Sequence, residues 1–189
     1  LTAFGIECVK EMERMGMIVD VSHLSDAGFY DVLRYTKKPF VASHSNARAI
    51  CPWVRNLTDD MIRKLAERGG VTGLNFCGDF LRDPFEGKIS AKERKAALQE
   101  KDTTGYQTMV GSEATFADVV RHARHMINVG GIECIGLGSD FDGIPDYPGR
   151  PKAERMEDLA QAFHDAGFTP DEIEHIFYRN VLHVYHDTL

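Results

Sequence analysis

Four side chains in this sequence have the types and spacing to do chemistry together: His23, His44, Arg55 and Asp140. His23 closes the apolar run Met17-Ile18-Val19-Asp20-Val21-Ser22-His23, and His44 closes a second, Pro39-Phe40-Val41-Ala42-Ser43-His44. Two imidazoles held at one place can share a metal ion, whereas either alone reads equally as a hydrogen-bonded structural histidine. Arg55 stands just ahead of Leu57-Thr58-Asp59-Asp60, and its guanidinium can clamp a carboxylate through two parallel hydrogen bonds or pair with a surface acid. Asp140 lies in Gly136-Leu137-Gly138-Ser139-Asp140-Phe141-Asp142-Gly143. Its carboxylate can accept a proton, bind an ammonium group or, with Asp142, brace the turn.

These residues need strands to bring them together. Both histidine-bearing runs are short, β-branched and almost continuously apolar, as strands of a parallel sheet covered on both faces are. Between them Asp26 to Tyr35 is predicted as a helix capped by Ser25, so the order is strand, helix, strand. A crossover of that kind joins parallel strands and delivers His23 and His44 to the same sheet edge. In a (β/α)₈ barrel that edge is the catalytic face. A first helix is expected over Thr2 to Arg14, ended by Gly16, and a third from the Thr58 cap to Arg68, ended by Gly69-Gly70. Val71 to Phe76 is the third strand, Thr115 to Asn128 a long helix, and Cys134 to Gly143 the fourth strand with its exit. Gly-x-Gly in that last segment lacks the third glycine and following helix of a dinucleotide fingerprint. Helices are expected from Ala153 to Ala166, from Thr169-Pro170 to about Tyr178, and again from Asn180 to His186.

The stretch from Cys77 to about Gly111 is long for a connection in a compact domain and suits a lid, a dimer contact or both, with a charged helix over Ser90 to Gln99. A homodimer is the expected assembly. His122 and His125 share one helix of the layer outside the sheet, where a solvated or interface role is expected rather than metal binding.

At 189 residues with a net charge of −7, the chain fits one domain, and its spread acidity excludes a nucleic-acid footprint. Cys8, Cys51, Cys77 and Cys134 show no Cys-x-x-Cys spacing and read as reduced thiols. No long apolar run or lipid-anchor tail is visible, and a cytoplasmic, bacterial enzyme is expected. A full (β/α)₈ barrel needs about 250 residues. The sequence opens at Leu1 inside an apparent helix, so an N-terminally incomplete barrel is expected.

The runs ending in His23 and His44, the segment Arg55-Asn56-Leu57-Thr58-Asp59-Asp60 and the glycine-rich run through Asp140 together resemble the second half of the renal (membrane) dipeptidase family. The likeness covers nearly all of residues 1 to 189, as the C-terminal part of a single metallo-dependent hydrolase domain. It implies an α/β fold of the (β/α)₈ TIM-barrel type, with this chain supplying about four C-terminal strand-helix units and the terminal helices. It also implies a site of two zinc ions that hydrolyses dipeptides by a hydroxide bridging the metals. On that resemblance His23 and His44 are ligands of one zinc, Arg55 binds the substrate's terminal carboxylate, and Asp140 serves both catalysis and the substrate's free amino group. The family's other metal ligands belong upstream and have no counterpart here. Tyr178-Arg179 replaces a glycine pair often found before the last asparagine. The alternatives are another barrel amidohydrolase, since a fold does not fix a substrate, and a non-catalytic half-barrel that serves in assembly.

Overall fold

Among the described residues three parallel strands carry the chain to the site: β1 (Val41–Ala42), β2 (Val71–Leu74) and β3 (Ile135–Leu137), hydrogen-bonded in that order. The computed structural model describes residues 1–83, 114–144 and 152–189. Val41 pairs with Val71, and Gly73 with Gly136. Every strand-to-strand connection is long and passes through a helix. This is why the strands run parallel and their C-terminal ends share one edge.

The helices begin and end where their capping residues dictate. α1 (Ala3–Arg14) is capped by Thr2 and stops before Gly16, whose φ of 75° is the left-handed conformation glycine adopts without penalty. α2 (Asp26–Tyr35) starts at Ser25, whose hydroxyl accepts the Gly28 N–H, and buries Phe29 and Val32. α3 (Asp59–Glu67) starts at Thr58, places Asp59 and Asp60 on its positive end and buries Met61, Ile62 and Leu65. A short helix α4 (Gly78–Leu81) follows β2, and α5 (Phe116–Gly130) then returns the chain to β3. Phe40, Ile62, Leu65, Leu74, Met126, Ile135 and Ile176 are fully buried between sheet and helices. The α/β class with a parallel sheet and intervening helices stands as expected.

Three local expectations differ. The run Met17 to His23 is not a full strand: Asp20 forms an isolated parallel bridge with Val41, through Val21 N–H to Val41 O (2.8 Å) and Val41 N–H to Val19 O (2.9 Å). Among the described residues it has β1 on one side only, so its ladder stays short. After α6 (Met156–Asp165), the expected break near Tyr178 is absent. α7 (Pro170–Glu174) passes through one π turn, His175–Arg179, into α8 (Asn180–Thr188). The buried Asn180 amide is the cause: it donates to the carbonyls of Ile132 (2.7 Å) and Ile135 (2.8 Å), pinning the helix against the start of β3. Finally, Cys77 opens into helix α4 rather than irregular loop. The helix expected over Ser90 to Gln99, like most of the long stretch to Gly111, lies outside the described residues.

Candidate active site

His44 and Asp140 sit just past the C-terminal ends of β1 and β3, and His23 just past the isolated bridge at Asp20, where the ladder continues for a few bonds after the formal strands stop. Ser45 N–H donates to Gly73 O (2.8 Å), Gly138 N–H to Leu74 O (3.1 Å) and Phe76 N–H to Ser139 O (3.3 Å). Glycine permits this closeness: a Cβ on Gly73 or Gly138 would stand about 2 Å from the Ser43 carbonyl oxygen (2.1 and 1.9 Å). The strand ends converge because nothing larger than hydrogen stands between them.

The two histidines meet. Nε2 of His23 lies 2.9 Å from Nε2 of His44, with ring centroids 4.9 Å apart and planes tilted by 57°. Two ligands of one tetrahedral zinc at the usual Zn–N length would be separated by about 3.3 Å. The pair therefore fits two positions of a metal's ligand set with little adjustment. It does not fit the whole set: among the described residues no group of three or more His, Cys, Asp or Glu side chains comes together to hold a metal. Partial desolvation at this half-open position, then the nearby Arg55 and His44, hold the His23 pKa below the ordinary imidazole value, against the opposing pull of Asp20 and Asp140.

Arg55 reaches the same place from the turn after Trp53. Its Nε donates to Ser22 O (3.0 Å), its Nη2 lies 3.5 Å from His44 Nε2, and its guanidinium sits 5.8 Å from the centre of the Phe80 ring. Asp140 has φ 61°, a left-handed conformation that among non-glycine residues Asp and Asn adopt most readily. Its Oδ2 accepts from Asn75 Nδ2 (3.1 Å), and the same amide donates to the His44 carbonyl (3.3 Å). Asn75 thereby ties Asp140 to the His44 strand end. Strain held at a carboxylate beside two histidines is what a functional site carries. Asp142 is exposed and brings its side chain to none of these groups in the described contacts.

Sequence reasoning missed the asparagines. Asn46, Asn56 and Asn75 are all fully buried. Asn46 Nδ2 donates to Asn75 O (2.9 Å) and its Oδ1 accepts Asn75 N–H (3.0 Å), while Asn56 Nδ2 donates to Cys51 O and Phe80 O (both 2.8 Å). They satisfy backbone groups that the irregular loops leave unpaired. The signal was present: an asparagine follows each of the apolar runs at Val41 and Val71 by a few residues.

His122 corrects another expectation. It is not solvated but 0% exposed, wedged between the site loops. Its Nδ1 accepts the Ala47 N–H (3.1 Å) and its Nε2 donates to the Leu81 carbonyl (2.9 Å). Both ring nitrogens are used by the neutral form. Burial pushes its pKa down to about 4, the Leu81 carbonyl only partly opposing it. An unfolded chain's histidine titrates near 6.5, so between there and about pH 4 the unfolded state binds a proton that the folded state refuses. Stability is expected to fall as pH drops through that window, by about 3 kcal/mol in full. Urea denaturation from pH 7 to pH 4 checks this, and the loss is expected to shrink in His122→Gln. His125 on the same helix instead meets Asp59 Oδ1 (2.8 Å) at the start of α3.

The cysteines are reduced and three of them buried. Burial drives the Cys77 thiol up to about 12 and that of Cys134 to about 11, which leaves both protonated and unreactive.

Comparison with known proteins gives one consistent pattern. The model of the membrane dipeptidase family (peptidase family M19) matches residues 1–188. An uncharacterized dipeptidase of Schizosaccharomyces pombe is 38% identical over 100% of this chain and 40% of its own length. The dipeptidase aclJ of Aspergillus oryzae is 34% identical over 99% of this chain and 39% of its own. The chain thus spans well under half the length of these two relatives. Among solved structures, a metallo peptidase from Rhodobacter sphaeroides liganded with a phosphinate mimic of the dipeptide L-Ala-D-Ala superposes with a TM-score of 0.82 at 32% identity. The superposition covers 100% of this chain and 47% of that one.

Proposed function

The chain belongs to the membrane dipeptidase family, and on that premise we propose that it forms the C-terminal part of a single barrel domain that hydrolyses dipeptides with two zinc ions. One observation carries the reading: the Nε2 atoms of His23 and His44 converge to 2.9 Å at the C-terminal edge of a parallel sheet, with Arg55 and Asp140 beside them. His23 and His44 would hold one zinc, the remaining ligands coming from outside this chain. When bound, the metals supply a nucleophilic water at neutral pH and polarise the scissile carbonyl.

The chain's own residues account for the choice of a short substrate. Arg55 presents a planar, permanently charged fork that pairs with the free carboxylate of a dipeptide. Asp140 presents the opposite charge, which holds the free ammonium group and accepts a proton during hydrolysis. A substrate with both charged ends within one residue of the scissile bond satisfies both groups at once, and a longer peptide does not. The dipeptide mimic bound to the Rhodobacter neighbour supports this substrate class. The assembly is a homodimer on this reading. No described helix is long and apolar enough to cross a membrane. The matched proteins named above come from two fungi and a bacterium.

Arg55→Lys tests the carboxylate clamp. Lysine keeps the charge but loses the fork, so KM for a dipeptide is expected to rise about 10²-fold with a smaller change in kcat. The parent's preference for a dipeptide over its C-terminal amide is expected to collapse in the variant. An unchanged preference would remove Arg55 from substrate binding.

A further inference from the structure

We propose that Asp20 and Ser43 are positioning residues that lock the proton of His44 on Nδ1 and so aim its Nε2 lone pair at the metal position. This rests on the reading of His44 as a metal ligand.

The hydrogens available to Ser43 and Asp20 fix the tautomer. The Asp20 carboxylate only accepts: Oδ1 takes the N–H groups of Ser22 and Ser43 (3.0 Å each), and Oδ2 takes the Ser43 hydroxyl (2.5 Å). Partial desolvation alone would raise the Asp20 pKa, but the hydrogen bonds from Ser43 and Ser22 together hold it below the ordinary value, so the group is ionised at neutral pH. A serine hydroxyl has one hydrogen, and Ser43 spends it on Asp20. Ser43 Oγ is also 2.7 Å from His44 Nδ1, and there it can only accept. Nδ1 must therefore carry the proton, which leaves Nε2 with its lone pair.

Two further contacts agree. Ser22 Oγ accepts the His44 N–H (2.9 Å) and lies 3.4 Å from Ser43 Oγ, to which its own hydrogen can turn. Arg55, which can only donate, approaches His44 Nε2 at 3.5 Å, a long contact that is favourable only to a lone pair. The opposite tautomer would set lone pair against lone pair at Ser43 and N–H against N–H at Arg55. Asp20 also binds both histidine-bearing strand ends through one oxygen, so it fixes their relative register. A histidine ligand whose second nitrogen is held in this way keeps its tautomer and ring orientation, and loss of the outer partner typically weakens metal binding 10- to 100-fold.

The test uses the intact gene product that carries this chain. In Asp20→Asn the carboxamide places an N–H₂ against Ser43, the hydroxyl turns its hydrogen toward His44, and the proton moves to Nε2. Nitrogen-15 NMR of the metal-free protein is expected to show His44 protonated on Nδ1 in the parent and on Nε2 in Asp20→Asn. Competition against a chelator is expected to show zinc bound about 10- to 100-fold more weakly. Should Asp20→Asn fail to fold, Ser43→Ala is expected to show the same weakening and Ser43→Thr, which restores the hydroxyl, to recover the parent's affinity. A folded Asp20→Asn with the parent's tautomer and zinc affinity overturns the proposal, as does a Ser43→Thr no better than Ser43→Ala. His44→Ala separates the two levels. If it binds zinc as tightly as the parent, the metal reading itself fails. If it loses zinc while Asp20→Asn does not, only the role of Asp20 fails.

Discussion

His23→Ala in the intact gene product is expected to lower kcat/KM for a dipeptide by about 10³-fold or more, equivalent to about 4 kcal/mol of transition-state stabilisation. The bound zinc is expected to fall from about two ions per chain toward one. His23 is the cleaner of the two histidines to remove. Its ring is exposed, and its described hydrogen bond is the one to His44 Nε2. His44 by contrast is joined to Ser43, Ser22, Asn75 and Arg55. Truncating His23 should therefore leave the melting temperature within a degree or two, since exposed positions change stability by about 0.5 kcal/mol or less. Activity lost with the fold intact isolates the chemistry. Activity retained at the parental level would remove His23 from the site.

Asp140→Asn is expected to lower kcat by about 10²- to 10⁴-fold, the range a positioned proton acceptor supplies. Asparagine is the right replacement for this backbone, because it tolerates the φ of 61° and its side-chain oxygen can still accept from Asn75. What it lacks is the charge. KM for dipeptides is expected to rise as the ammonium group loses its partner, while N-acetylated substrates, which have no ammonium group, should show a smaller KM change. Initial rates on a dipeptide and its N-acetyl derivative, with circular dichroism as the check on folding, decide the matter. A variant with the parent's kcat would assign Asp140 to bracing its turn, where its carbonyl accepts the Gly143 N–H (3.1 Å).

What the sequence revealed and what it hid have separable physical causes. The caps at Ser25, Thr58 and Thr169 and the stops at Gly16 and Gly69 were legible because each depends on local hydrogen bonding and local dihedral freedom. The shared edge of His23 and His44 followed from the length of the crossover between their runs, a rule of chain connectivity. The π turn at His175–Arg179 was hidden because its cause is Asn180 reaching the start of β3, 45 to 48 residues away in sequence. His122 was misread for the same reason. Its partners, Ala47 and Leu81, lie 75 and 41 residues away, and helical spacing alone says nothing of what a loop will lay against a helix. The buried asparagines belong to this class too. Polar residues in irregular segments read as solvated until the backbone groups they satisfy are known.

Metal analysis of the intact gene product tests most directly whether this chain builds one side of a two-metal hydrolytic site. Inductively coupled plasma mass spectrometry is run beside a dipeptide assay on the parent and on His23→Ala. The expected result is about two zinc ions per chain in the parent with hydrolysis of simple Gly- and Ala-containing dipeptides, and in His23→Ala a fall toward one zinc ion with loss of hydrolysis. A parent that holds no metal after growth in zinc and cleaves no dipeptide would contradict it, leaving His23 and His44 as a hydrogen-bonded pair that braces two strand ends.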